Sequence, residues 1–177
     1  MTLCMLAASF PAFAQNVEFA WAAGMGGTTY YPDASGLGIA VDASGNVYAT
    51  GVFRGIVDFD PGPGTFNLTS SGGFDIFVQK LDASGNFLWA RRMGGTDSDV
   101  GKGIAVDASG NVYTTGLFGG TVDFNPGAGT ALLASAGSSD IFVSKLDASG
   151  NFLWAVSMGG TSTDIGFGIA VGASGNV

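Results

Sequence analysis

The four residues Gly38-Ile39-Ala40-Val41 return 65 positions later as Gly103-Ile104-Ala105-Val106, and 65 later again as Gly168-Ile169-Ala170-Val171. Trp89 and Trp154 stand at the same separation, whereas Trp21 lies 68 before Trp89, so the first copy carries three extra residues near Tyr30-Tyr31-Pro32. A fixed period with one small loop insertion is the mark of a repeat architecture. In such a chain each unit is one supersecondary motif that buries its apolar faces against its neighbours.

Within each period one pentapeptide occurs twice. Asp42-Ala43-Ser44-Gly45-Asn46, Asp82-Ala83-Ser84-Gly85-Asn86, Asp107-Ala108-Ser109-Gly110-Asn111 and Asp147-Ala148-Ser149-Gly150-Asn151 each lie between apolar runs rich in β-branched and aromatic residues. A worn copy, Gly172-Ala173-Ser174-Gly175-Asn176, follows. The glycine supplies the positive φ that a tight hairpin needs, and the aspartate can accept a hydrogen bond from the backbone two residues on. Turn chemistry alone therefore explains these aspartates and asparagines.

Four strands per unit follow from the period-2 pattern, at 38–41, 47–53, 75–81 and 87–93 in the first copy. The second and third are joined by a longer segment, Val57-Asp58-Phe59-Asp60-Pro61-Gly62 onward, repeated as Val122-Asp123-Phe124-Asn125-Pro126-Gly127. Its proline and glycines forbid a continuous central strand. The strands are apolar on both faces, with small residues on one, so each sheet is expected to lie between two others. The expected fold class is all-β: β-propeller blades of four antiparallel strands, two full repeats plus partial ones, forming an open piece of a larger propeller. The boundaries read as a truncated signal peptide over 1–14 and a lone outer strand and loop over 15–37. Blade repeats cover 38–102 and 103–167, and a third begins over 168–177. The strand at 17–23 has no partners of its own before it and would serve to close the ring.

Residues 1–14 read as the end of a secretory signal: an apolar run at 3–10, then Ala12-Phe13-Ala14 as a small-x-small cleavage site before Gln15. No Lys or Arg precedes the run, and the first basic residue is Arg54. A secreted or cell-surface location in a bacterium is the expectation.

Charge and residue choice narrow the chemistry. The net charge is −8, with six Lys and Arg in 177 residues, too few to neutralise a phosphate backbone, so nucleic acid is not an expected partner. No basic amphipathic helix or long apolar run points to membrane insertion. There is no histidine, and Cys4 is the single cysteine. A Ser-His-Asp or Cys-His mechanism lacks its base, and a zinc site cannot draw on His or Cys ligands.

The run Gly-Ile-Ala-Val-Asp-Ala-Ser-Gly-Asn-Val-Tyr from Gly103 to Tyr113, and Asp-Ile-Phe-Val-x-Lys-Leu-Asp-Ala-Ser-Gly-Asn-Phe-Leu-Trp-Ala from Asp140 to Ala155, resemble the bacterial β-propeller repeat called SBBP. The first part is also similar to the broader NHL-type propeller repeat. The resemblance covers 16–177 and implies secreted or cell-surface scaffolds and binding modules without a shared reaction. The segment with Asp-Phe-Asp-Pro-Gly departs from it and lengthens each unit.

The blade order puts the short turns at one end and the longer loops at the other, where Asp58, Asp60, Asp97, Asp99, Asp123 and Asp164 would gather. Asp58-x-Asp60-x-Gly62 and Asp123-x-Asn125-x-Gly127 are similar to the start of a calcium loop. Asp58, Asp60, Asp123 and Asn125 are thus the candidate metal ligands, with turn capping as the plain alternative. The expected function is a non-catalytic binding or structural module, with a protein or glycan ligand on the long-loop face. The alternatives are a carboxylate-dependent hydrolase acting on glycans, through Asp97 and Asp99 or Asp58 and Asp60, and a calcium-stabilised adhesion module. A catalytic acid should occur in one unit only. Asp58 with Asp123, and Asp99 with Asp164, break that rule.

Overall fold

A computed structural model describes residues 21, 22, 24 and 33–177. The signal-like residues 1–14 and most of the expected strand at 17–23 lie outside the described residues. Among those described, every regular element is a strand. The first blade is β1 (Ala34–Val41), β2 (Val47–Phe53), β5 (Asp75–Leu81) and β6 (Phe87–Gly95), antiparallel in that order. The second is β7 (Val100–Val106), β8 (Val112–Phe118), β11 (Asp140–Leu146) and β12 (Phe152–Met158), in the order β12-β11-β8-β7. The first blade begins at Ala34, four residues before the expected boundary, because a bulge between Gly36 and Gly38 lets β1 stay paired with β2 as far as Phe53. The sheets are the propeller-like repeats expected, and they do not close.

The turns form as their residues dictate. Gly45, Gly85, Gly110 and Gly150 have φ of 82°, 82°, 79° and 79°. In each turn the aspartate carboxylate accepts the backbone N–H groups two and four residues on, as Asp107 Oδ1 does from Ser109 and Asn111, both at 2.9 Å.

The segment between the second and third strands holds what the sequence pattern did not resolve. It folds into a two-stranded hairpin: β3 (Ile56–Asp58) with β4 (Asn67–Thr69) in the first unit, β9 (Thr121–Asp123) with β10 (Leu132–Ala134) in the second. The second hairpin pairs with the preceding blade, Gly94↔Asp123 and Gly95↔Val122. The first blade's sheet thereby runs to six strands, β1-β2-β5-β6-β9-β10. Each hairpin also drives a phenylalanine into its own blade. Phe59 lies 5.3 Å from Phe53 and 5.0 Å from Phe77, and Phe124 lies 5.4 Å from Phe118 and 4.9 Å from Phe142, ring centre to ring centre. Both are fully buried, each contributing about 2–3 kcal/mol by removal from water.

Alternation along β5 feeds two cores. Ile76 and Val78 join Trp89, Met93, Ile104, Val112, Phe118 and Phe142 between the blades. Phe77 joins Phe53, Val57 and Phe59 on the other face of the first blade. Two-sided burial of the sheet follows directly.

Candidate functional site

At the short-turn end the aspartates are spent on structure. Asp42 Oδ1 accepts the Ser44 and Asn46 N–H groups, and Oδ2 accepts Asn46 Nδ2 at 2.8 Å and the Tyr48 hydroxyl at 3.0 Å. Burial works against the charged carboxylate, but these donors together outweigh it and hold Asp42 below the usual range. The Tyr48 hydroxyl is pushed well up, by burial first and then by its bond to Asp42. The second unit repeats the arrangement, with the Tyr113 hydroxyl 3.1 Å from Asp107 Oδ2 and Lys145 Nζ 3.9 Å from the same oxygen. Asp107→Ala should therefore cost about 1–2 kcal/mol, since it strips acceptors from two backbone donors and from Tyr113. Urea denaturation of the two proteins side by side measures it.

The hairpin acids take a different place from the one expected. Because β9 runs antiparallel to the end of β6, its loop is carried back along the outer rim toward the short turns. The loop residues Asn125–Gly129 face Gly150, Asn151 and Phe152 across a groove of about 630 Å³, with Phe66, Leu68 and Ala90 to Arg92 on its other wall. One unit earlier, Asp60 to Pro63 face Ser84 to Phe87 and Trp21 across a groove of about 400 Å³. Asp58, Asp60, Asp123 and Asn125 are therefore rim residues. Asp97, Asp99 and Asp164 belong to the linkers at the opposite end.

In each unit the candidate ligands accept backbone N–H groups of their own hairpin loop. Asp58 Oδ1 accepts the N–H of Asp60 at 3.0 Å and of Phe66 at 2.8 Å, and Asp60 Oδ1 accepts that of Gly62 at 2.8 Å. The Phe66 and Asp60 bonds hold the Asp58 carboxyl below its ordinary range. In the second unit Asp123 Oδ1 takes Asn125 and Ala131, and Asn125 Oδ1 takes Gly127. These are the bonds of Asx turns, and they brace each hairpin loop. Among the described residues no group of three or more His, Cys, Asp or Glu could hold a metal ion.

Two acids that the sequence reading did not single out, Asp75 and Asp140, form a second set with Asp99. Asp75, Asp99 and Asp140 are buried. Asp99 ties the end of β6 to the β8–β9 corner, accepting Gly95 N at 2.8 Å and Gly119 N at 3.0 Å. Asp75 meets Arg92 Nη1 at 2.9 Å. Asp140 has Ser157 at the position of that arginine, and its Oδ1 has no hydrogen-bond partner. The signal for Asp75 and Asp140 was their 65-residue recurrence, the same recurrence that pairs Asp99 with Asp164. The pair Asp97 and Asp99 does not face a cleft as a shared acid and base: Asp97 is exposed, while both Asp99 oxygens receive backbone donors.

Burial is the main cause that raises Asp99 to about 6 from 3.8, against the pull of the Gly95 and Gly119 bonds. The folded chain then holds a proton that the unfolded chain has released between those values. The stabilisation is full below about pH 3.8 and is lost as the pH rises through about 6. Asp75 is also raised, by burial first, and acts in the same sense. The turn aspartates are lowered and lose their contribution only as the pH falls below the ordinary carboxylate range. Thermal midpoints are expected to fall between about pH 4.5 and 7, and Asp99→Asn should flatten that fall.

Residues 88–117 match the SBBP family, described as a β-propeller repeat. The chain is 35% identical over 127 residues to an uncharacterized WD repeat-containing protein of Acanthamoeba polyphaga mimivirus, covering 67% of this chain and 9% of that protein. It is 32% identical over 101 residues to the regulatory protein FlaEY of Caulobacter vibrioides, covering 57% of this chain and 11% of that one. The chain thus spans about a tenth of the length of the curated relatives it matches.

Proposed function

Because this chain is built of SBBP-type β-propeller repeats, we propose that it is a non-catalytic binding module of the cell surface or the secreted fraction, and that its ligand is a glycan held in the rim grooves. The observation that carries this reading is the recurrence of the groove at successive units, each between a hairpin loop and the next short turn. A groove repeated along a rigid scaffold suits a ligand that is itself a repeated chain. The larger groove combines the apolar Phe66 and Phe152 with the amides of Asn125 and Asn151, the pairing of ring faces and hydrogen-bonding groups that a sugar ring needs. Every loop acid in it already braces backbone, which supports recognition over acid–base chemistry.

The test is affinity electrophoresis of the chain through gels carrying soluble polysaccharides: a β-glucan, a xylan, a soluble chitin derivative and an alginate. Retardation by one of them, weakened in Phe152→Ser, is the expected result. Equal mobility in all of them would end the glycan reading. Export rests on residues 1–14 and is tested separately, by fractionating bacteria that express the chain with and without those residues. Recovery of both forms in the cytoplasm would refute it.

A further inference from the structure

The two rim grooves are built from matching stretches of the repeat, and two of the differences between them change their charge. The motif Trp-Ala-x-x-Met recurs as Trp21 to Met25, Trp89 to Met93 and Trp154 to Met158, and its variable pair is Ala23-Gly24, Arg91-Arg92 and Val156-Ser157. Arg91 and Arg92 are two of the six basic residues of a chain with net charge −8, and both line the larger groove. The hairpin loop breaks the repeat in the same sense. Asp60 lines the smaller groove, and Asn125, 65 residues on, lines the larger one.

The change from Asp60 to Asn125 alters the chemistry of one atom and leaves the loop alone. Asp60 Oδ1 accepts the Gly62 N–H at 2.8 Å, and Asn125 Oδ1 accepts the Gly127 N–H at 2.8 Å. That bond fixes which way the Asn125 amide points, and it leaves Nδ2 as a donor. The second atom lies in the same place in both loops, Asp60 Oδ2 beside Gly64 and Asn125 Nδ2 beside Gly129. Where the smaller groove has a carboxylate oxygen, the larger one has an amide N–H.

Arg91 brings to the larger groove a charge that no anion meets. Nε donates to Gly150 O, Nη2 to Ser149 O and Nη1 to Ala90 O, each at 2.9 Å, and the guanidinium lies 5.5 Å above the Trp89 ring. These contacts hold the group still without neutralising it. Among the described residues no carboxylate oxygen lies within 4.0 Å of it. Three of the five guanidinium N–H groups are spent on those carbonyls, and two remain. Arg92 differs, because Asp75 meets its charge at 2.9 Å. The carboxylate in the same groove is that of Asp123, whose Oδ1 is turned to the N–H groups of Asn125 and Ala131. A guanidinium fixed in advance and short of an anion binds an acid group with little further loss of freedom.

We propose that the larger groove selects an acidic sugar residue, its carboxylate or sulfate group bound by Arg91, whereas the smaller groove, whose matching positions are Asp60 and Ala23, does not accept one. The inference rests on the glycan reading of the same grooves and adds the class of sugar. Two changes 34 positions apart in the larger groove, at 91 and at 125, both remove repulsion or add attraction for an anion.

The test is isothermal titration calorimetry on the full chain with oligosaccharides in matched pairs: alginate and its carboxyl-reduced form, dextran sulfate and dextran. A charged member should bind about tenfold or more tightly than its neutral counterpart. That preference should shrink as the salt is raised from about 0.05 to about 0.5 M. Preference for alginate alone assigns a uronate, and preference for dextran sulfate alone assigns a sulfate ester. Asn125→Asp restores the residue of the first unit and keeps the loop bond, so it should abolish the preference and leave the thermal midpoint unchanged. Arg91→Gln should abolish it too. A role confined to joining the blades would lower the midpoint of Arg91→Gln and leave the ratio of charged to neutral affinity as in the parent, which would overturn the proposal. Equal affinity within both pairs would overturn it while leaving the glycan reading in place. Failure of both charged preparations to bind would also overturn it, and equal mobility in every polysaccharide gel would then remove the glycan reading as well.

Discussion

Replacing Gly116 by alanine should destabilise the second blade by about 3 kcal/mol or more. Gly116 lies in the middle of β8, opposite Gly101 on β7. The bulge between Gly101 and Gly103 presses the Val100 carbonyl onto it, so that an added Cβ would fall 1.8 Å from that oxygen and 3.1 Å from the Phe142 ring. The oxygen belongs to the backbone of a paired strand, so it cannot swing aside as a flexible side chain could. Relief requires β7 to lift off β8, which also disturbs the contact of β7 with the first blade. The matching residue Gly51 has the same surroundings, with 1.9 Å to Ser35 O and 2.9 Å to the Phe77 ring, so Gly51→Ala should behave alike. Gly36→Ala is the control. It meets nothing within 4 Å and its φ is not positive, so its effect should stay within about 0.5–1 kcal/mol, with stabilisation the expected sign. Urea denaturation followed by tryptophan fluorescence measures all three. A Gly116→Ala protein as stable as its parent would mean that the strands do not approach as described.

Trp89→Ala should cost about 3–5 kcal/mol, and the loss should fall on the junction of the two blades. Trp89 is 8% exposed and belongs to the core that both blades share. It stands edge-on to Tyr48, its N–H bonds the Ala148 carbonyl of the second blade, and the Arg91 guanidinium lies 5.5 Å above its ring. Arg91 reinforces the same joint, donating to Gly150 O and Ser149 O, both at 2.9 Å. Removal of the indole empties a space that two blades line, which neither can refill alone. Trp154→Ala makes the comparison, because that side chain has the same strand position but is 36% exposed. Its loss should be about 1–2 kcal/mol, in proportion to the smaller area withdrawn from water. Equal losses at the two positions would show that Trp89 does not join the blades. If only the midpoint of the transition shifts, the blades unfold together. If the transition splits in two, the tryptophan is what makes them cooperate.

Much of the fold is legible in single pentapeptides. The bounds 47–53 and 75–81 read from periodicity are those of β2 and β5, because the Asp-Ala-Ser-Gly-Asn turns that flank them determine register within five residues. An aspartate that accepts its own turn's N–H groups and a glycine at positive φ need no distant partner. The sequence by itself therefore determined the four-stranded antiparallel unit, its period and the structural role of the turn aspartates. The hairpins β3–β4 and β9–β10 are three residues a strand, too short for any period to show, and their pairing with the preceding blade joins Gly95 to Val122. That pairing was decided only when neighbouring blades packed, because the edge that β9 completes belongs to another unit. The same packing moved Asp58, Asp60, Asp123 and Asn125 to the rim, and buried Asp99 where its oxygens meet Gly95 and Gly119. Local turn bonds are encoded in adjacent residues. Burial and edge pairing are properties of surfaces brought together from units 65 residues apart, and only the tertiary structure creates those surfaces.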